Sequence, residues 1–319
     1  MNKIKTLQSA VNYVEKSMIL TETQKNDIID NSRKIVKDYA FQNNLKSLEI
    51  GISGGLDSAV VAALYQLEFT GVPLIGISIP MSSSNEHREQ AEWVGNEYCT
   101  VFEEFNGWSE SIGMVRDWVE NNIYKSIFSV MQQTDRIMEK AGFDVSKFPT
   151  NILQGNSKAR IRMMTLYDMA NKGSGMVLST DNYSEYLAGF WTINGDVGDW
   201  GPIQNIWKGF ELPQIARALG IREDIITQKP SDGLMVTEDN TDEAQLGMNY
   251  KEFDTIMSIY LKKLNVSEEE SQSLYDDIFS FEKDSEDAIK VEKAITRYEN
   301  SMFKRKGTIN LTREELGIK

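Results

Sequence analysis

The chain has 319 residues, enough to bury one large core or a core with a sizeable extension. Its 34 Lys and Arg stand against 48 Asp and Glu, a net charge of −14, which argues against nucleic acid or an anionic membrane as the main partner. The single cysteine, Cys99, excludes an intramolecular disulfide, and the single histidine, His87, excludes a histidine-built metal site. No apolar run approaches a membrane span, and Met1-Asn2-Lys3-Ile4-Lys5 lacks a signal-peptide core, so a cytoplasmic protein is expected. Chemistry in such a chain must run on positioning, cations and metal, which suits phosphoryl and nucleotidyl transfer.

Residues 1–47 read as helices, with Ile28, Ile29, Ile35, Val36, Tyr39 and Ala40 in an apolar stripe behind a Thr21 or Thr23 cap. Leu48-Glu49-Ile50 reads as a buried strand that runs into Gly51-Ile52-Ser53-Gly54-Gly55-Leu56-Asp57-Ser58. Leu56, Ala59, Val60, Ala63, Leu64 and Leu67 then recur at helical spacing. A strand that turns into a helix through Ser-Gly-Gly aims free backbone N–H groups at one spot, and the helix dipole adds to them. Gly54 and Gly55 let phosphate oxygens approach the backbone, while Ser53 and Ser58 add hydroxyl donors. Asp57 would be repelled by bare phosphate, so its place here calls for a bridging divalent cation. The stretch carries neither a Gly-Lys-Ser/Thr ending nor the three spaced glycines of dinucleotide folds.

Residues 72–80 form the next expected strand, which completes a right-handed βαβ unit. Asn85 is expected to cap a helix with His87 on its solvated face, followed by an inert Cys99 and a third strand at Thr100-Val101-Phe102. Residues 107–142 read as helical and 143–154 as a loop. Asn156 then heads a helix with Lys158, Arg160 and Arg162 in its first turns, where the dipole disfavours cations unless an anion offsets them. Met176 to Asp181 reads as a fourth strand with a polar end. Glu185 and Asp57 would both stand above the carboxyl edge of the sheet as a pair of magnesium ligands, and Lys208 could reach a phosphate. The acidic stretch around Glu238-Asp239-Asn240 reads as a lid, and residues 250–298 are helical before a basic Lys304-Arg305-Lys306. The expected architecture is α/β: a Rossmann-like parallel sheet with helices on both faces. One domain is expected, with a core at 48–260 and helical additions at 1–47 and 261–319.

Ser53 to Ser58 resembles the pyrophosphate loop of the ATP pyrophosphatases, which cleave ATP between its α- and β-phosphates. The ordered set of Gly51 to Ser58, Gly155-Asn156-x-Lys158-Ala159-Arg160-x-Arg162-Met163 and Ser179-Thr180-Asp181 with Glu185 resembles the NAD synthetase family. So do Gly195-Asp196, Lys208, and Pro230-Ser231 followed by Asp242-Glu243-x-x-Leu246-Gly247. The resemblance implies an adenine nucleotide α-hydrolase-like fold in a homodimer. It implies that Gly51, Ile52, Ser53, Gly54, Gly55, Leu56, Asp57 and Ser58 hold the phosphates of ATP, that Thr180, Lys208 and Ser231 also contact ATP, and that Asp57 and Glu185 bind Mg2+. Arg160, Asp199 and Lys304 would contact deamido-NAD, with Asp57 and Lys208 serving catalysis. In the family a nicotinate carboxylate attacks the α-phosphorus of ATP, pyrophosphate leaves, and ammonia displaces AMP from the acyl adenylate. Many members carry Lys where Ile193 stands, and His where Asn182 and Phe303 stand, which leaves nicotinate mononucleotide open as an acceptor. A non-catalytic ATP-binding sensor is the alternative from another class. Cys99 lacks the setting of a glutaminase nucleophile, so free ammonia is the expected nitrogen source.

Overall fold

The computed structural model describes residues 3–80, 84–105, 129–147, 150–230 and 241–318. The chain opens with α1 (Leu7–Ser17) and α2 (Glu22–Gln42), each begun by a capping box: Thr6 with Ser9, and Thr21 with Gln24. Then come β1 (Leu48–Gly51), α3 (Leu56–Leu64), α4 (Leu67–Thr70), β2 (Leu74–Ser78), α5 (Asn85–Tyr98) and β3 (Val101–Glu104). Ser84 rather than Asn85 caps α5, because its hydroxyl accepts the His87 N–H at 3.2 Å. Residues 129–140 are helical, while most of the expected 107–142 helix lies outside the described residues.

The next helix, α6 (Thr150–Gly173), starts six residues before Asn156. Asn156 is therefore no cap; its side-chain oxygen instead accepts the Thr192 hydroxyl at 2.6 Å, inside the helix. The expected fourth strand shrinks to β4 (Met176–Val177), since Leu178 bridges Trp200 and the Ser179 N–H donates to the Trp200 carbonyl at 2.8 Å. Helices α7 (Tyr183–Ala188), α8 (Leu212–Ala218), α9 (Glu223–Thr227), α10 (Asp242–Leu246) and α11 (Tyr250–Tyr260) follow. The last three are α12 (Glu268–Phe279), α13 (Glu286–Asn300) and α14 (Met302–Arg305).

All pairings in the sheet are parallel, and its order is β3-β2-β1-β4. The chain steps outward from β1 to β3, then returns through α6 to place β4 on the far side of β1. That reversal opens a crevice at the carboxyl ends of β1 and β4, where ligands of open α/β sheets bind. On one face Val36 of α2, Val60 and Leu64 of α3, Val94 of α5 and Ile215 of α8 join Leu48, Ile50 and Leu74 in one apolar core. On the other face Met163, Leu166 and Ala170 of α6 pack on Ile77 and Val177. Helices thus cover both faces, as expected.

A second core joins the two ends of the chain. Leu7, Ala10, Val11 and Val14 of α1 bury against Phe253, Ile256 and Met257 of α11, Leu274 and Ile278 of α12, and Val291 of α13. The Asp277 and Asp287 carboxylates accept the Ile4 and Leu7 N–H groups at 2.8 Å each, which ties the start of the chain to α12 and α13. The sequence left open whether the first 47 residues cover the sheet; α2 covers it, and α1 belongs to the helical lobe. Among the described residues no helix is long and apolar enough to cross a membrane.

Candidate active site

The turn after β1 is built by its serines. The Ile52 N–H still donates to the Ile77 carbonyl, and the chain then leaves the sheet. The Ser53 N–H donates to the Ser58 hydroxyl at 3.3 Å, the Gly55 N–H to the Ser53 hydroxyl at 3.2 Å, and the Ser58 hydroxyl to the Gly55 carbonyl at 3.1 Å. Gly54 has φ +84°, and a Cβ there would overlap the His87 carbonyl oxygen at the start of α5. Gly55 is the N-cap of α3 and supplies no side-chain cap, so the first N–H groups of α3 are left for a ligand.

Above this turn lies a cavity of about 770 Å³, within the range of small-molecule sites. Gly51, Ile52, Ser53, Gly55, Asp57, Thr180, Glu185, Lys208 and Lys304 line it, which brings together most of the residues expected to bind. Gly54, Leu56 and Ser58 shape the turn from behind. Ser231 and the expected acidic lid lie outside the described residues.

Lys208 is the hub of the cavity. Its backbone N–H donates to the Ser184 hydroxyl at 2.9 Å, and the next N–H, of Gly209, donates to Asp254 at 2.7 Å, so α7 and α11 hold the segment before α8. The buried ammonium lies 3.1 Å from Asp57 Oδ2, 2.6 Å from Glu185 Oε1 and 3.6 Å from Asp242 Oδ2, with the Tyr250 ring centroid 4.5 Å away. Burial pulls the lysine pKa down, but the three carboxylates outweigh it and hold the pKa well above the ordinary value. Burial also drives the Glu185 carboxyl upward; Lys208 opposes this, while Asp57, Asp181 and Asp242 reinforce it. Asp181 is pushed up to about 7 by burial and then by Asp196. The Tyr250 hydroxyl donates to Asp242 Oδ2 at 2.9 Å, and Asn182 donates to Asp57 Oδ1 at 2.8 Å while it caps α7.

Several acids thus face one lysine in a buried space, an imbalance a divalent cation would relieve. Asp57 and Glu185 offer hard oxygen donors that converge on the point Lys208 occupies. No group of three or more potential metal ligands gathers among the described residues. A pair of carboxylates completed by substrate phosphates and water is how Mg2+ is usually held, so the residues fit that ion.

Other expected residues lie apart. Arg160 is exposed, with Nε donating to the Ile193 carbonyl at 3.3 Å, and does not line the cavity. Asp199 sits beside β4, where it accepts the Val177 N–H at 3.1 Å and the Tyr167 hydroxyl at 2.7 Å. On α6 the cavity face carries Asn156, Arg162, Met163 and Leu166. Asn156 and Met163 stand two helical turns apart, and Arg162 and Met163 lie four and three residues before Leu166, a pattern that was there to find once Asn156 is read as part of the helix. His87, read as solvated, lines the cavity beside Arg88, whose guanidinium is clamped on Glu104. Asp242 and Arg297 also line it, and their distance in sequence from the turn hid them.

Residues 28–308 match the NAD synthase family. The chain belongs to that family. The NH(3)-dependent NAD(+) synthetase of Methanosarcina mazei is 31% identical over 245 residues, covering 75% of this chain and 82% of that protein. The NH(3)-dependent NAD(+) synthetase of Alkaliphilus oremlandii is 32% identical over 239 residues, covering 73% and 85%. Among solved structures, the NMN synthetase of Francisella tularensis superposes with a TM-score of 0.64 at 22% identity, covering 90% of this chain and 98% of that one. The NH3-dependent NAD synthetase of Campylobacter jejuni gives 0.63 at 20% identity, covering 90% and 99%. Both show the NAD synthase fold in this chain.

Proposed function

We propose that this NAD synthase family member amidates deamido-NAD to NAD with ammonia, and that it uses ATP and releases AMP and pyrophosphate. The observation that carries the reading is the meeting, in one cavity, of the uncapped start of α3 with the cluster of Asp57, Glu185 and Asp242 around Lys208. A sensor would need the phosphate turn; it would have no use for buried acids gathered on a lysine beside it.

The division of labour follows from the geometry. The first N–H groups of α3 bind phosphate oxygens and orient the triphosphate. Lys208, held by Ser184 and the carboxylates, brings a permanent positive charge to the phosphates, where negative charge builds as pyrophosphate departs. Asp57 and Glu185 would hold Mg2+, which when bound draws charge from the phosphate oxygens. Arg160, Asp199 and Lys304 are the proposed contacts of deamido-NAD, and Thr180 and Ser231 those of ATP. Lys304 supports this reading, as its ammonium enters the cavity held by the Gly189 and Trp191 carbonyls at 2.7 and 2.6 Å.

Burial pushes the Cys99 thiol up to about 12, so the chain offers no thiolate to hydrolyse glutamine and free ammonia remains the nitrogen source. We further place the protein in the cytoplasm as a homodimer.

The test is to incubate the protein with ATP, Mg2+ and ammonium, with deamido-NAD or nicotinate mononucleotide supplied separately. The expected result is NAD, AMP and pyrophosphate in equal amounts from deamido-NAD. Amide made only from the mononucleotide would correct the acceptor, and AMP without either amide would overturn the reading.

A further inference from the structure

We propose that Asn182 is a positioning residue for the divalent cation: it pins the far oxygen of each acid expected to hold Mg2+ and so aims their near oxygens at one point. This rests on the reading above of Asp57 and Glu185 as the Mg2+ ligands. Asn182 Nδ2 donates to Asp57 Oδ1 at 2.8 Å, and the Asn182 backbone N–H donates to Glu185 Oε2 at 3.4 Å. The other two oxygens, Asp57 Oδ2 and Glu185 Oε1, lie 3.1 and 2.6 Å from the Lys208 ammonium. One residue therefore meets one oxygen of each acid, and the lysine marks where the remaining pair converges.

Nothing intrinsic to Asp or Glu sets the plane of its carboxylate, because the last side-chain torsion is broad and nearly two-fold. The plane has to be fixed from outside, which is how outer partners orient metal ligands. Asparagine suits the task because one short side chain carries both a donor and an acceptor. Its Oδ1 accepts the Glu185 N–H at 3.0 Å as the cap of α7, which leaves Nδ2 turned toward Asp57. A cap alone needs no such bond. Asp57 stands in α3, 125 residues away in sequence, so Nδ2 ties together the two segments that carry the acids. The amide is neutral and orients both carboxylates without cancelling their charge.

Asn182 is fully buried and does not line the cavity, so any effect it has on the chemistry passes through Asp57 and Glu185. Asn249 supplies a matched control. It heads α11 with the same reciprocal bonds: its Oδ1 accepts the Glu252 N–H at 2.9 Å, and its own N–H donates to Glu252 Oε2 at 3.0 Å. Among the described residues it has no bond to Asp57 or Glu185.

The experiment measures the Kd for Mg2+ alone by titration calorimetry, and the Mg2+ dependence of amidation, in wild type, Asn182→Ser and Asn249→Ser. Serine caps a helix about as well as asparagine, but its side chain ends one bond short of Nδ2 and cannot reach Asp57 in the same way. Losing an outer partner of a metal ligand predicts a Kd raised roughly 10- to 100-fold in Asn182→Ser. Asn249→Ser exchanges one cap for another and should stay within about two-fold of wild type. Excess Mg2+ should return Asn182→Ser to wild-type turnover, because both ligands are still in place. An unchanged Kd in folded Asn182→Ser, an equal rise in both variants, or a loss of turnover that Mg2+ does not reverse overturns the inference. If Asn182→Ser does not fold, Asn182→Thr, which keeps a capping hydroxyl and fills more of the space, decides by the same criteria. A wild type that binds no Mg2+ would instead sink the metal reading on which this rests, a result distinct from a wild type that binds it and a variant that matches.

Discussion

Replacing Lys208 by Met tests the charge arrangement on which the site depends. The change keeps the length and apolar stem of the side chain and removes the charge that Asp57, Glu185 and Asp242 share at 3.1, 2.6 and 3.6 Å. Breaking a buried ion pair from one side costs about 3–5 kcal/mol. Glu185, already pushed upward by burial, can take up a proton and recover part of that, so the lower end, about 3 kcal/mol, is the expected loss near neutral pH. For a chain of this size that is a fall in Tm of roughly 6 °C. A divalent cation held by Asp57 and Glu185 would reverse it, since a ligand at a hundred times its Kd stabilises by about 2.7 kcal/mol. The assay is thermal unfolding of wild type and Lys208→Met in chelator and in excess Mg2+. Lys208→Met should melt lower in chelator and gain more from Mg2+ than wild type, whose lysine competes for the same carboxylates. Equal melting in chelator, or an equal Mg2+ gain in both proteins, would refute the reasoning.

Three further outcomes follow from single residues. Gly54→Ala adds left-handed strain and an overlap with the His87 carbonyl, for a combined cost of about 3 kcal/mol, and should raise the KM for ATP at least about ten-fold. Gly71→Ala, at φ +76° with open space around it, should cost only the strain, about 1 kcal/mol, and leave ATP binding alone; similar effects from both would contradict the role of the turn. Asp254 is buried with its pKa raised from 3.8 to about 7, so its contribution to stability is greatest below pH 4, falls as pH rises toward 7 and is then flat. Asp254→Asn retains an acceptor for the Gly209 N–H and should gain on wild type by up to about 4 kcal/mol between pH 4 and pH 7 in denaturant titrations; parallel curves would count against this. The Cys99 thiol should resist disulfide reagents in the folded protein and react once unfolded, and prompt labelling of the native state would show the burial to be wrong.

What the sequence revealed and what it hid have separate physical causes. The phosphate turn was legible because its parts are local: β1, Ser53 to Ser58 and the apolar spacing of α3 sit within twenty residues. The parallel sheet followed from the same local alternation of strand and helix. The link between Asp57 and Asp242 was not legible, since it is made by α10 and by the loop of Lys208 folding back over the carboxyl edge. The role of Lys208 shifted for the same reason: its ammonium is held by acids from three separate segments. Asn156 misled because an Asn before a helical pattern reads as a cap, whereas here it bonds Thr192 across the site from within α6. Arg162 rather than Arg160 faces the cavity, a matter of helix phase that starting α6 six residues late conceals. Ile193 and Phe303 are exposed, while Arg162, Arg297 and Lys304 line the cavity.

The central claim is that the turn after β1 presents the α-phosphorus of ATP to a carboxylate, and isotope transfer tests it most directly. Deamido-NAD labelled with 18O in its carboxylate is amidated to completion, and the AMP and pyrophosphate are weighed by mass spectrometry. Attack at the α-phosphorus places one 18O in each AMP and none in pyrophosphate. Label in inorganic phosphate or pyrophosphate, or unlabelled AMP from a reaction that still makes NAD, would contradict it.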